Sequence, residues 1–244
     1  MHLSLSKVAF TFASTAILAL SSSTHCAASS EESFNITPSA GKNYTLPPLP
    51  YAYNALEPVI SEQIMKLHHD KHHKAYVDGL NTALTGLSNA KDADTIASLQ
   101  SALHFNSGGH INHSIFWKNM RAPREDNNKS TNGLKIDKAI KEQFGSTDKL
   151  TKLMQTRVLA IQGSGWCWLV LDPATQKLDV ITLPNQDTPG MVNKVPLLGI
   201  DIWEHAFYLD YLNVKADYVT NFWKVVNWDD VNQRYENAVS KSKN

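Results

Sequence analysis

Two short runs, GWCWLVLD at residues 165–172 and LDVITL at 178–183, interrupt a chain that otherwise repeats its apolar residues at helical spacing. Aromatic and β-branched runs of this length on either side of PATQK have the pattern of a β-hairpin, and LLGID at 197–201 supplies a third short strand. Before them, apolar residues at Ile60, Ile64, Leu67, Val77, Leu80, Leu84 and Leu87 predict one long helix from Ser61 to about Leu87, with Pro58 marking its start. A second helix is expected from about Thr95 to Met120, interrupted by Ser107–Gly109 and antiparallel to the first. After the linker RAPREDNNKSTNG come amphipathic segments at Leu134–Phe144 and Thr147–Gln162, the latter capped by Ser146. Helix is expected again over Trp203–Leu212 and Asp217–Val239. The fold class is therefore α+β: an N-terminal helical hairpin domain over residues 44–131, then an α/β domain over 132–244 with a three-stranded antiparallel sheet.

Charge excludes some partners. Lys plus Arg and Asp plus Glu both number 23, so neither a nucleic-acid backbone nor an anionic membrane is expected as the main partner. Cys26 and Cys167 alone cannot make a disulfide framework or a cysteine zinc site. At the N-terminus, Lys7 precedes an apolar run from Val8 to Leu20, followed by small and polar residues. That run is too short for a stable membrane anchor. The first Arg is Arg121, and Glu31 and Glu32 follow the run, so a secretory signal over residues 1–28 is favoured over a leader to the mitochondrial matrix. Residues 29–43 are expected to be a flexible mature N-terminus, with Asn35, Asn43 and Asn128 as glycan acceptors; Asn112-His-Ser, inside an apolar helix, reads as a chance match.

Three constellations could carry chemistry. In LHHDKHHKAY, His68, His72 and Tyr76 follow at four-residue steps along one helix stripe, with His69 and His73 beside them. Such a run reads equally as a solvated polar face or as a source of metal ligands. GGHINHSIFW offers His110 and His113, of which one could ligate while the other packs. In GIDIWEHAFY, Asp201 ends a strand and His205 follows four residues on; Asp201 could simply be a helix N-cap. Together the imidazoles and carboxylate suit manganese, iron or zinc, and the lack of cysteine ligands argues against structural zinc.

LHHDKHHKAYV, FNSGGHINHSIFW, QGSGWCWL, PNQD and GIDIWEHAFYLDY resemble, in order and spacing, the motifs of iron/manganese superoxide dismutases, over about Tyr44 to Tyr235. The similarity looks strongest to the eukaryotic manganese enzymes. It implies superoxide as substrate and His68, His113, Asp201 and His205 as metal ligands, with a solvent molecule completing the coordination. It also implies that His72 and Tyr76 line the substrate funnel, that Gln186 hydrogen-bonds the solvent, and that Trp166 and Trp203 wall the pocket. A homodimer or homotetramer is expected, with Glu204 meeting the partner's His205 and Tyr208 facing His72 across the contact. His69 and His73 become surface or packing residues, and His110 is not a ligand.

Iron members of the family tend to carry a glutamine four residues before the second histidine ligand. That position here is Gly109, and Gln186 comes from the sheet instead, so manganese is favoured with iron still able to bind. Cys167 departs from the usual GSGWGW and is an expected oxidation liability between two tryptophans. Other users of three histidines and one aspartate are hydrolases, non-haem iron oxygenases and metal-sequestering proteins. An oxygenase facial triad leaves several positions open, which this ligand set does not.

Overall fold

The structure, a computed structural model, describes residues 43–124 and 131–241. The chain divides into Met1–Gly41 and Lys42–Asn244; the leader, Asn35 and Asn128 lie outside the described residues. Within the second unit, Ser61 caps α1 (Glu62–Leu67) by accepting from the Ile64 amide. The helix runs on through a π-helical segment, His68–His73, into α2 (Lys74–Asn89). Asp92 caps α3 (Ala93–Lys118), which packs along α2 as the helical hairpin.

Two expectations about the hairpin helices need correction. The first helix is not α-helical throughout, since residues 68–73 are π-helical, and Leu67, one of the apolar residues that predict it, is 38% exposed. The second helix is not interrupted at Ser107–Gly109. Positions 108 and 109 are both helical, and both are glycine because a Cβ at 108 would fall on the Gln186 carbonyl oxygen and one at 109 would lie 2.5 Å from the Tyr76 ring.

Beyond the linker, α4 (Lys135–Phe144) and α5 (Thr147–Leu159) form as expected, with Ser146 capping α5 through the Lys149 amide. The strands are β1 (Gly165–Leu171), β2 (Leu178–Pro184) and β3 (Val195–Asp201), antiparallel in the order β2-β1-β3. Every residue of the central strand β1 is buried, as strand runs covered on both faces require. Trp166 and Trp168 stack on one face, where Trp166 meets Phe116 of α3; on the other, the Cys167 thiol lies against the Met154 carbonyl of α5. Register sets Trp166 opposite Asp201 of β3 and Leu183 of β2, so β3 delivers its aspartate beside Trp166 and β2 runs out toward Gln186 at the same end.

After a 3-10 turn (Glu204–Ala206) come α6 (Tyr208–Tyr211), α7 (Lys215–Phe222) and α8 (Trp228–Lys241). The helical region expected over Asp217–Val239 is divided into α7 and α8. Val226 bridges Met120, the Arg121 amide donates to Val225 and the Asn227 amide to Asn119, so the backbone between α7 and α8 spends its hydrogen bonds on the end of α3. No described helix is long and apolar enough to cross a membrane.

Candidate metal centre

Four side chains from four separate elements converge: His68 from the π-helical segment, His113 from α3, Asp201 from the end of β3 and His205 from the 3-10 turn. Their donor atoms all lie within 4.8 Å of one another. His68 Nε2 is 2.9 Å from His113 Nε2 and 3.1 Å from Asp201 Oδ2; the latter is 3.3 Å from His205 Nε2 and 3.7 Å from His113 Nε2. Donors about 2.1 Å from one ion and roughly 90–120° apart lie about 3.0–3.6 Å from each other, so these separations fit a single first-row cation. The set of three nitrogens and one carboxylate, without thiolate, fits manganese or iron.

Local hydrogen bonds aim these donors. The His113 Nδ1–H donates to the Gly109 carbonyl at 2.6 Å, which leaves the Nε2 lone pair facing the centre. Asp201 is not merely a helix cap: Oδ1 accepts from the Trp203 amide at 2.9 Å while Oδ2 faces the histidines. Burial holds His68 down to about 4, partly offset by its hydrogen bond to Asp201, and holds His113 well below the usual imidazole range. Burial opposes ionisation of Asp201, but the charge and hydrogen bonds of His205 and His68 outweigh it and keep the carboxyl well below its ordinary value. Neutral His68 and His113 beside an ionised Asp201 are protonation states a cation requires.

Around this set lies a second layer. Gln186 donates from Nε2 to the Tyr76 hydroxyl at 3.0 Å and accepts at Oε1 from Trp166 Nε1 at 3.1 Å. An indole nitrogen only donates, so this pair fixes the carboxamide orientation. The Tyr76 ring lies tilted on His113, with centroids 5.1 Å apart, and burial followed by the Asp201 charge raises its phenol above the ordinary value. Trp203 stacks on His205 at 5.4 Å. His72 faces His205 at 4.3 Å and donates from Nδ1 to the Leu67 carbonyl; burial and the charge of His205 lower its pKa. Glu204 and Tyr208 are exposed beside this group.

His69, His73 and His110 are packed inside. His69 and His73 are buried, so of the surface or packing roles expected for them the packing one holds. Trp117 Nε1 donates to His73 Nδ1, and His73 Nε2 in turn donates to His110 Nδ1, both at 2.9 Å. His110 does not join the four converging donors. Cys167 is no oxidation liability: it is fully buried on the sheet face away from the centre, and burial pushes its thiol up to about 12. Sequence reasoning missed Asn112, a buried side chain whose Nδ2 donates to the Gln186 carbonyl at 3.1 Å and the Asp187 carbonyl at 3.2 Å. Its only sequence signal was a polar residue inside an apolar helix.

Residues 43–121 match the family model described as iron/manganese superoxide dismutases, alpha-hairpin domain, and residues 131–234 match the model of the same family's C-terminal domain. The chain belongs to the iron/manganese superoxide dismutases. It is 51% identical over 199 residues to a protein of Cryptococcus neoformans var. grubii named superoxide dismutase [Mn], mitochondrial, covering 80% of this chain and 87% of that one. A rice protein of the same name is 52% identical over 201 residues, covering 80% and 86%, and one from Aspergillus fumigatus is 48% identical over 197 residues, covering 80% and 93%.

These relatives correct one expectation of the leader. Family members named as mitochondrial stand against the secretory signal and the extracellular destination. The distinction rested on weak physical signals. Both kinds of leader join a cationic start to apolar residues, and Glu31 and Glu32 lie far enough beyond Leu20 to fall outside either.

Proposed function

We propose that His68, His113, Asp201 and His205 hold the manganese ion with which this superoxide dismutase converts two superoxide anions and two protons into dioxygen and hydrogen peroxide. Convergence of three imidazole nitrogens and one ionised carboxylate at ligand spacing carries this reading. When bound, the metal supplies the alternating one-electron oxidant and reductant that dismutation needs. Everything else falls to the chain. Gln186 has two Nε2 protons and spends one on Tyr76, leaving the other to hydrogen-bond whatever occupies the centre beside the four ligands. Tyr76 accepts from Gln186, and its raised pKa keeps its own proton in place at neutral pH, so its hydroxyl can donate toward an incoming anion. Trp166 and Trp203 pack on His113 and His205 and keep water from the ligands. Gly109 in place of glutamine, with Gln186 reaching in from beyond β2, supports manganese over iron.

Exposed Tyr208, Leu209, Leu212 and Val214, following Glu204 on one segment, support a homodimer formed at this face, with Glu204 and Tyr208 in the contact. Light scattering of the purified protein tests this: a monomer contradicts it, and a tetramer adds a second interface. The names of the relatives support a mitochondrial location, tested by fusing residues 1–42 to a fluorescent protein. Asp201→Ala should abolish both metal retention and superoxide consumption; retention of both would remove Asp201 from the ligand set.

A further inference from the structure

The segment that carries Gln186 is held against one stripe of α3. His104, Gly108 and Asn112 follow at four-residue steps and therefore share a helix face. Asn112 Nδ2 donates to the carbonyls of Gln186 and Asp187, and Gly108 leaves no room for a side chain against the Gln186 carbonyl. One turn earlier on the same stripe, His104 Nε2 donates to Asp187 Oδ1 at 2.8 Å. From the other side, the Asn185 carbonyl accepts from Trp203 Nε1 at 2.9 Å. Residues 185–187 are thus held by three side chains, Asn112, His104 and Trp203, and the His104 side chain is 54% exposed.

We propose that His104 is a positioning residue for the dismutation reaction: by clasping Asp187 it keeps the Gln186 segment seated on α3 and so keeps the Gln186 carboxamide aimed at the metal centre. This rests on the reading of Gln186 given above. The side-chain bonds to Trp166 and Tyr76 fix which way the carboxamide faces, but its distance from the centre depends on where the backbone sits. Asn112 grips that backbone through carbonyl oxygens; the His104–Asp187 pair adds a restraint along α3 that resists lifting of the segment. A displacement of a fraction of an ångström in a group that hydrogen-bonds at the reacting centre is enough to alter turnover.

The test uses manganese-loaded wild type, H104A, H104K, Q186A and the double variant H104A/Q186A, with two readouts: superoxide consumption per manganese and hydrogen exchange of the peptide covering residues 184–190. An exposed pair of this kind has a modest effect, so H104A should speed exchange at 184–190 and slow turnover, each by about two- to five-fold. H104K, which restores a hydrogen-bond donor for Asp187, should recover both. In the double variant H104A should add nothing to the slowing caused by Q186A, because a residue acting through Gln186 has nothing left to position. Unchanged exchange or unchanged turnover in H104A, with Q186A slow, overturns the role of His104 and leaves the reading of Gln186 standing. Multiplicative slowing in the double variant also overturns it, since His104 would then act elsewhere. Normal turnover of Q186A sinks the reading of Gln186 and the clasp as a catalytic device along with it.

Discussion

Gly109→Ala probes the packing on which the outer layer of the metal centre depends. The added Cβ would meet Cγ and Cδ1 of Tyr76 at 2.5 and 2.6 Å, inside any allowed contact, so the phenol must move. Its hydroxyl is the partner of Gln186 Nε2, and its ring packs on His113, so any movement is felt at both. Replacing glycine in a helix interior gains roughly 1 kcal/mol. Overpacking costs about 1–3 kcal/mol, and a lost or lengthened hydrogen bond about 1 kcal/mol more. The net is a destabilisation of about 1–3 kcal/mol, which in a chain of this size lowers Tm by roughly 3–10 °C. Thermal unfolding followed by circular dichroism should be run on metal-free protein, because bound metal shifts Tm by mass action. Gly190→Ala is the control, since an added Cβ there meets nothing within 4 Å, and it should unfold like wild type. After manganese loading, Gly109→Ala should also turn over more slowly at unchanged metal content. Wild-type Tm together with wild-type turnover would refute the argument that Gly109 is required by the Tyr76 ring.

Trp117→Phe keeps the aromatic packing but leaves His73 Nδ1 as a buried acceptor without its donor, and urea unfolding should register a loss of about 1–3 kcal/mol. For pH, His68 is held near 4 and His113 well below 6.5 in the folded chain, so the unfolded chain binds more protons as the solution is acidified. Stability of the metal-free protein should therefore fall as pH drops from about 6.5 toward 4, with the depressed Asp201 adding a further loss only below its ordinary range; urea midpoints at pH 7, 5.5 and 4.5 check the first window. Cys167 should resist a thiol reagent in the native protein at pH 8 and react fully once the chain is unfolded. Tyr76→Phe should retain manganese while altering proton-limited turnover, and loss of metal instead would make Tyr76 structural.

What the sequence disclosed depended on how local each signal was. Ser61 and Ser146 announce helix starts because capping is settled within three residues. The strands were legible in GWCWLVLD and LDVITL because both faces of β1 are covered, and Asp201 and His205 could be paired through a strand end. The π-helical segment left no such mark: LHHDKHHK reads as α-helix, and the folded backbone decides between the surface and packing roles of His69 and His73. Gly108 and Gly109 look like a helix break in sequence, yet they are small because Gln186 and Tyr76 lie against them from distant parts of the chain. Asn112 and the division between α7 and α8 were illegible for the same reason, since their partners at Gln186 and Asn119 are far away along the chain.

The most direct test of the metal centre is elemental analysis paired with superoxide consumption, on wild type and on His113→Ala, after reconstitution with manganese or with iron. One manganese per chain with rapid consumption in wild type, and the loss of both in the variant, is the predicted result. Zinc in the purified protein, or rapid consumption by the variant without bound metal, would contradict it.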